Sequence, residues 1–172
     1  MSEQDDKVYR FRYNRKGRRG EDGPERSGPK TGRYIPRFPH KYKGDLSKII
    51  YRSSWEERTM KYLDANPNVL EWSSEEIVIP YISPLDNRKH RYFPDFWCRM
   101  KDKQGVIKEM ILEVKPLAQT KVPEKKKRIT KRAIHEVTTY LVNEAKWQSA
   151  SQYCLNRGIE FKLLTEKEIF GR

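Results

Sequence analysis

The chain has few of the residues that build covalent or histidine-based architecture. Its 172 residues include two cysteines, Cys98 and Cys154. Two cysteines are too few for a disulfide framework and lack zinc-ligand spacing. Both are expected as packed or free thiols in a reducing compartment. His40, His90 and His135 are scattered, with no pair at helical spacing, so a histidine-based metal site is not expected. No apolar run approaches the length that spans a bilayer. The opening MSEQDDKVYR has no apolar signal-peptide core, which predicts a cytoplasmic protein. No basic helix rich in Trp and Leu suggests a membrane surface as partner. Negative charge is the other shortage. There are 24 acidic residues against 37 Lys and Arg, a net charge of +13. Such an imbalance points to a polyanionic partner, most often nucleic acid, with a merely solvated basic surface as the plain alternative.

Composition divides the chain near residue 40. Residues 1–40 set Arg10, Arg12, Arg15, Lys16, Arg18 and Arg19 among glycines and prolines, with sparse, aperiodic apolar residues. Such a segment buries too little surface to offset its ordering entropy, and a disordered basic arm is expected. Residues 41–172 read as one folded domain. Serines 53 and 54 precede an apolar helical stripe of Trp55, Thr59, Tyr62 and Leu63, which Asn66-Pro67-Asn68 ends. Strands are expected over 77–81, 91–100 and 106–114, the last two joined by a turn at 102–105. A basic stretch at 121–132 leads to a helix over 138–156, stopped by Arg157-Gly158. A strand over 159–164 and a short helix capped by Thr165 follow. The order helix, three strands, helix, strand predicts an α/β domain with a mixed sheet flanked by helices.

Two strings carry chemistry, Phe93-Pro94-Asp95 and Ile111-Leu112-Glu113-Val114-Lys115. Counting back from the turn sets Asp95 opposite about residues 111 to 113. Glu113 and Lys115 share one strand face, while Leu112 and Val114 face the core. Asp95 and Glu113 are therefore expected to converge, with Lys115 beside them. Two carboxylates suit a hard cation such as Mg²⁺, with the Val114 carbonyl as a further oxygen. A lysine there orients water and stabilises developing negative charge. This is the minimum equipment for metal-assisted attack of water on a phosphodiester. The plain alternative is a surface ion pair, but acids set in apolar strands need a reason to be there.

Pro94-Asp95 followed by Glu113-Val114-Lys115 resembles the PD-(D/E)xK nuclease superfamily. Tyr51-Arg52-Ser53-Ser54-Trp55-Glu56, Trp72-Ser73-Ser74-Glu75-Glu76, Ile79-Pro80-Tyr81 and His90-Arg91-Tyr92 sharpen the likeness. Together with Asn143-Glu144-Ala145-Lys146-Trp147 and Phe161-Lys162-Leu163-Leu164, they resemble the TnsA-like branch, and within it the head-completion nucleases of T4-like tailed phages. The likeness begins near Gly32. It implies a restriction-endonuclease-like core and Mg²⁺-dependent cleavage of double-stranded DNA, with Mn²⁺ expected to substitute. It also implies action in the host cytoplasm late in head assembly, phage head or portal proteins as partners, and neither membrane nor small-molecule substrate. A structural DNA-binding virion component that keeps the fold without turnover is the alternative. A resolvase- or transposase-type nuclease is a third.

The resemblance also implies an acid on the first helix. A helical wheel favours Glu56, at the edge of the apolar face, over Glu57, which points to solvent with Lys61. Glu56 joins Asp95, Glu113 and Lys115 as an expected catalytic residue. Yet Ser53 to Glu56 is also capping-box spacing, which makes Glu56 a helix-start residue if Ser53 is the cap. Glu76 is a weaker candidate, and Gln119 is expected in a polar loop. Lys125, Lys126, Lys127, Arg128, Lys131 and Arg132 are the expected phosphate contacts.

Overall fold

The computed structural model describes residues 31–124 and 128–171. Its elements run β1 (Gly32–Arg33), β2 (Ile50–Tyr51), α1 (Ser54–Ala65), β3 (Val69–Ser74), β4 (Ile79–Ile82), β5 (Lys89–Tyr92), β6 (Phe96–Lys101) and β7 (Ile107–Val114). These are followed by α2 (Lys131–Leu155), β8 (Glu160–Leu164) and α3 (Glu166–Phe170). The main sheet has the order β3-β6-β7-β8. Its first two pairings are antiparallel and the last is parallel, so the sheet is mixed, as the element order predicted.

Alternation along the central strands gives the sheet two apolar faces. Phe96, Cys98 and Met100 of β6, with Met110, Leu112 and Val114 of β7, pack with Met60 and Leu63 of α1 and with Trp72. Ile111 faces the other way and packs with Ala150 and Cys154 of α2 and with Ile79, Tyr81 and Tyr92. Cys98 and Cys154 are buried free thiols. Burial of each large apolar side chain stabilises the layers by about 1.5–3 kcal/mol.

The structure changes four sequence readings. Residues 69–74 form β3, a main-sheet strand that had not been expected. The expected strand over 91–100 is interrupted, because Pro94 has no N–H to offer. Its first part, β5, pairs with β4 in a separate two-stranded ribbon, so the strand near 77–81 lies outside the main sheet. Helix α2 begins at Lys131 rather than 138, since the Thr130 side chain accepts the Ala133 N–H and caps it there.

Residues 34, 37 and 38, within the stretch expected as an arm, contact α1. The buried carboxylate of Asp64 accepts hydrogen bonds from Tyr34 Oη at 3.2 Å, Arg37 N at 2.7 Å and Phe38 N at 3.1 Å. Residues 32–38 are thereby held to the C-terminal end of α1. The expectation for residues 1–30 lies outside the described residues. No helix among the described residues is long and apolar enough to cross a membrane.

Candidate active site

The site forms where the end of β7 meets the break between β5 and β6. The last ladder pair there is Phe96 with Leu112, which leaves Asp95 beside Glu113. Asp95 Oδ2 accepts the Val114 N–H at 2.7 Å. A side chain thus satisfies a strand-end N–H, and this fixes the carboxylate. On the opposite edge Lys115 N donates to Leu164 O at 2.9 Å, so β8 holds the lysine's backbone.

Glu113 is 4% exposed. Its Oε1 lies 3.1 Å from Lys115 Nζ, and its Oε2 accepts the Tyr92 hydroxyl at 2.7 Å. Burial, followed by repulsion from Glu113, pushes the Asp95 carboxyl above the ordinary aspartate range, although Lys115 and the Val114 N–H pull the other way. Burial opposes the charge on Lys115, but Glu113 and Asp95 outweigh it and hold the ammonium above its ordinary pKa. Without a metal, Lys115 is thus held as a cation that donates a hydrogen bond to Glu113. Burial and the Glu113 carboxylate also hold the Tyr92 hydroxyl protonated.

Glu56 is tied to the start of α1. Ser53 is the N-cap, its Oγ accepting Glu56 N at 3.1 Å and donating to Glu56 Oε1 at 3.0 Å. Glu56 Oε2 accepts Arg52 N at 2.7 Å. The charge of Glu56 still reaches Asp95 and Lys115. Among the described residues, however, no three acidic, histidine or cysteine side chains gather closely enough to hold one metal ion. The structure brings Asp95, Glu113 and Lys115 together and leaves Glu56 at the rim with cap duties. Glu57 pairs with Lys61 as the helical wheel indicated, but its side chain is only one-quarter exposed. Glu76 accepts Asp45 N at 3.3 Å, in a different loop. Gln119 is exposed on a short 3-10 turn.

Three rim residues escaped the sequence reading. Tyr92 stood there in a quoted string with no role of its own. Arg52 pairs with Glu75, whose backbone has φ 56° and donates from N to Asp95 O at 3.2 Å. A non-glycine residue in the left-handed region is uncommon and gathers at functional sites. Both Arg52 and Glu75 stood in the quoted strings, but no spacing rule shows that residues 23 apart will meet.

Of the expected DNA contacts, Lys125, Lys126 and Lys127 lie outside the described residues. Arg128, Lys131 and Arg132 are exposed at the start of α2, where Arg132 pairs with Glu136 at 3.0 Å.

A family model described as TnsA-like endonuclease N terminal matches residues 66–166. The head completion nuclease of Enterobacteria phage T4 is 41% identical over 140 residues, covering 79% of this chain and 91% of that protein. The chain belongs to the TnsA-like endonuclease family. It is a nuclease, and its mixed sheet flanked by helices is the restriction-endonuclease-like fold that the motif implied. Asp95, Glu113 and Lys115 fall inside the family match, whereas Glu56 precedes it.

The donor set of this nuclease suits a divalent cation. Asp95 and Glu113 are neighbours at the end of the sheet, and burial first, then the charge of Glu113, raise the Asp95 carboxyl. A cation held by both would offset their like charges. Small hard divalent cations are commonly held by one or two carboxylates with phosphate and water completing the shell, and a two-carboxylate donor set is compatible with that.

Proposed function

We propose that this nuclease hydrolyses double-stranded DNA with a divalent cation, Mg²⁺ or Mn²⁺, held by Asp95 and Glu113. The observation that carries this reading is the meeting of Asp95, Glu113 and Lys115 at one strand end, through Asp95 Oδ2 to Val114 N and Glu113 Oε1 to Lys115 Nζ. The cation supplies Lewis-acid polarisation of the scissile phosphate and a more acidic water. Lys115 donates to the attacking water and opposes the charge that grows on the phosphate. Tyr92 keeps Glu113 oriented, and Val114 N keeps Asp95 oriented. Glu56, at the rim, helps position water while also capping α1. Exposed Arg128, Lys131 and Arg132, with Lys125 to Lys127, contact backbone phosphates without reading sequence.

The setting we propose is phage head completion, in the host cytoplasm or on the assembling virion, with head or portal proteins as partners. The support is the 41% identity to a head completion nuclease over nearly all of that protein. The residues before 32 serve as a basic arm toward DNA or those partners, as their composition suggests.

Nicking of supercoiled plasmid by the purified chain tests the chemistry. Wild type is expected to nick with Mg²⁺ or Mn²⁺ and to stop with EDTA. Asp95→Ala is expected to be inert under both conditions, and undiminished nicking by that variant would sink the assignment.

A further inference from the structure

The β4–β5 ribbon has an outer face that no other element covers among the described residues, and it runs toward the site. Residues paired across an antiparallel ladder share a face. Ile79 with Tyr92 and Tyr81 with His90 form one face, and Ile79, Tyr81 and Tyr92 are buried toward α2. Pro80 with Arg91 and Ile82 with Lys89 form the other, and all four are exposed. Phe93 continues this outer face by the two-residue period. It is 40% exposed, with the Arg91 guanidinium 5.7 Å from its ring centroid. Neither Lys89 nor Arg91 has a carboxylate partner among the described residues. The face therefore combines an exposed ring with two cations that have no carboxylate partner among the described residues, and none of its five residues is acidic. It ends two residues before Asp95.

We infer that this outer face is a DNA-docking surface in which Lys89 and Arg91 hold backbone phosphates and Phe93 stacks on a base freed at a duplex end. The inference rests on the DNA reading above. Charge selects a polyanion over an ordinary protein surface. A two-stranded ribbon has the right width to enter a major groove. Position matters too, because Phe93 stands two residues before Asp95 at the break between β5 and β6. An aromatic ring backed by a guanidinium is a stacking platform for any base. Base faces are covered within a closed duplex, so Phe93 is useful at an overhang or an opened end.

The test is equilibrium binding of labelled DNA to the full chain in EDTA, over a salt series. One probe is a duplex with a single-stranded overhang, and the other is a dumbbell closed at both ends. Lys89→Gln/Arg91→Gln is expected to lower the salt slope by about 0.9 per lost phosphate contact, costing about 30-fold in affinity near ~0.15 M salt on both probes. Phe93→Ala is expected to weaken overhang binding by about 5- to 100-fold with the slope unchanged. It should leave the dumbbell unaffected, and Phe93→Trp should restore binding. These positions are exposed, and thermal melts matching wild type will show that each variant is folded. Wild-type slope and affinity in the double variant overturn the inference, as does unchanged overhang binding by Phe93→Ala. A face that serves a protein partner gives that negative result. Plasmid nicking separates the two levels. If wild type does not cut, the proposed function fails; if it cuts while the folded variants bind like wild type, only the docking surface fails.

Discussion

Tyr92 and Glu113 join two separate sheets through one buried hydrogen bond, from the tyrosine hydroxyl to Glu113 Oε2 at 2.7 Å. Tyr92 is the last residue of the β4–β5 ribbon, and Glu113 is next to last in β7. With Lys115 on Oε1, both oxygens of the buried carboxylate are held in defined directions. The ribbon thus positions Glu113 as well as flanking the site.

Tyr92→Phe keeps the ring and removes this donor. Partners that orient a metal-binding carboxylate typically contribute 10- to 100-fold to metal affinity or activity. The variant is expected to bind Mn²⁺ about 10- to 100-fold more weakly by calorimetry, with a similar fall in nicking. A loss of stability without change in Mn²⁺ binding would confine Tyr92 to packing.

Lys115→Ala is expected to abolish nicking and also to destabilise the protein. It leaves a buried carboxylate with one donor in place of two. Breaking a buried pair costs about 3–5 kcal/mol, and the quarter of its side chain that Lys115 exposes reduces this to about 2 kcal/mol. Urea unfolding in EDTA measures the loss. Lys115→Met/Glu113→Gln, which removes both charges and keeps an acceptor for the Tyr92 hydroxyl, is expected to recover most of the stability while remaining inert.

Asp95→Asn is expected to stabilise the metal-free protein as it removes activity. The Asp95 pKa is raised in the folded state by burial and Glu113. The folded protein therefore holds this proton more tightly than the unfolded chain. The resulting stability is complete below the ordinary aspartate pKa and is lost as pH rises through the raised value. Asparagine keeps an acceptor for Val114 N and carries no charge. The melting temperature of Asp95→Asn minus wild type, in EDTA, should be near zero in acid and grow positive toward neutral and alkaline pH. A difference that shrinks with pH would contradict the repulsive pair.

The acidic pair was legible because two features coincided. A turn near Asp102 to Gly105 fixed the hairpin register, and the period of two placed Glu113 with Lys115 on one face. Strand β3 was missed because Glu71 and the serines at 73 and 74 broke its apolar run, although Val69, Trp72 and Ser73 are buried. Pairing with β6 decided its state, and pairing is not a local property. The break at Pro94 was visible as a proline, but not its consequence, which required Tyr92 and Phe96 to enter different sheets. Asp64 shows the same limit. Nothing in Leu63-Asp64-Ala65 says that an acid will be 1% exposed and clasp residues 34 to 38. Long-range hydrogen bonds of that kind appear only once the chain has folded.

Asp64→Ala is accordingly expected to leave the chemistry intact and weaken the fold. It strips the N–H groups of Arg37 and Phe38, and the Tyr34 hydroxyl, of their acceptor. At about 1–3 kcal/mol for an unsatisfied buried group, and with water reaching the partly exposed ones, the loss is about 3 kcal/mol by urea unfolding. Nicking at low temperature, where the variant stays folded, should match wild type. Loss of nicking in fully folded Asp64→Ala would mean that residues 31 to 41 take part in the site.

Glu56 has two roles that one substitution separates. Its Oε1 and Oε2 serve Ser53 and Arg52 at the start of α1, and its charge reaches Asp95 and Lys115. Glutamine accepts hydrogen bonds in a capping box about as well as glutamate but carries no charge. Glu56→Gln should therefore unfold within about 0.5 kcal/mol of wild type if capping is preserved. Ser53→Ala, which removes the cap and leaves the Glu56 charge, should cost about 1 kcal/mol and change nicking little. If Glu56 also positions water, Glu56→Gln loses at least tenfold in nicking at wild-type stability. Equal nicking by folded Glu56→Gln and wild type would reduce Glu56 to a helix cap and leave Asp95, Glu113 and Lys115 as the whole catalytic set.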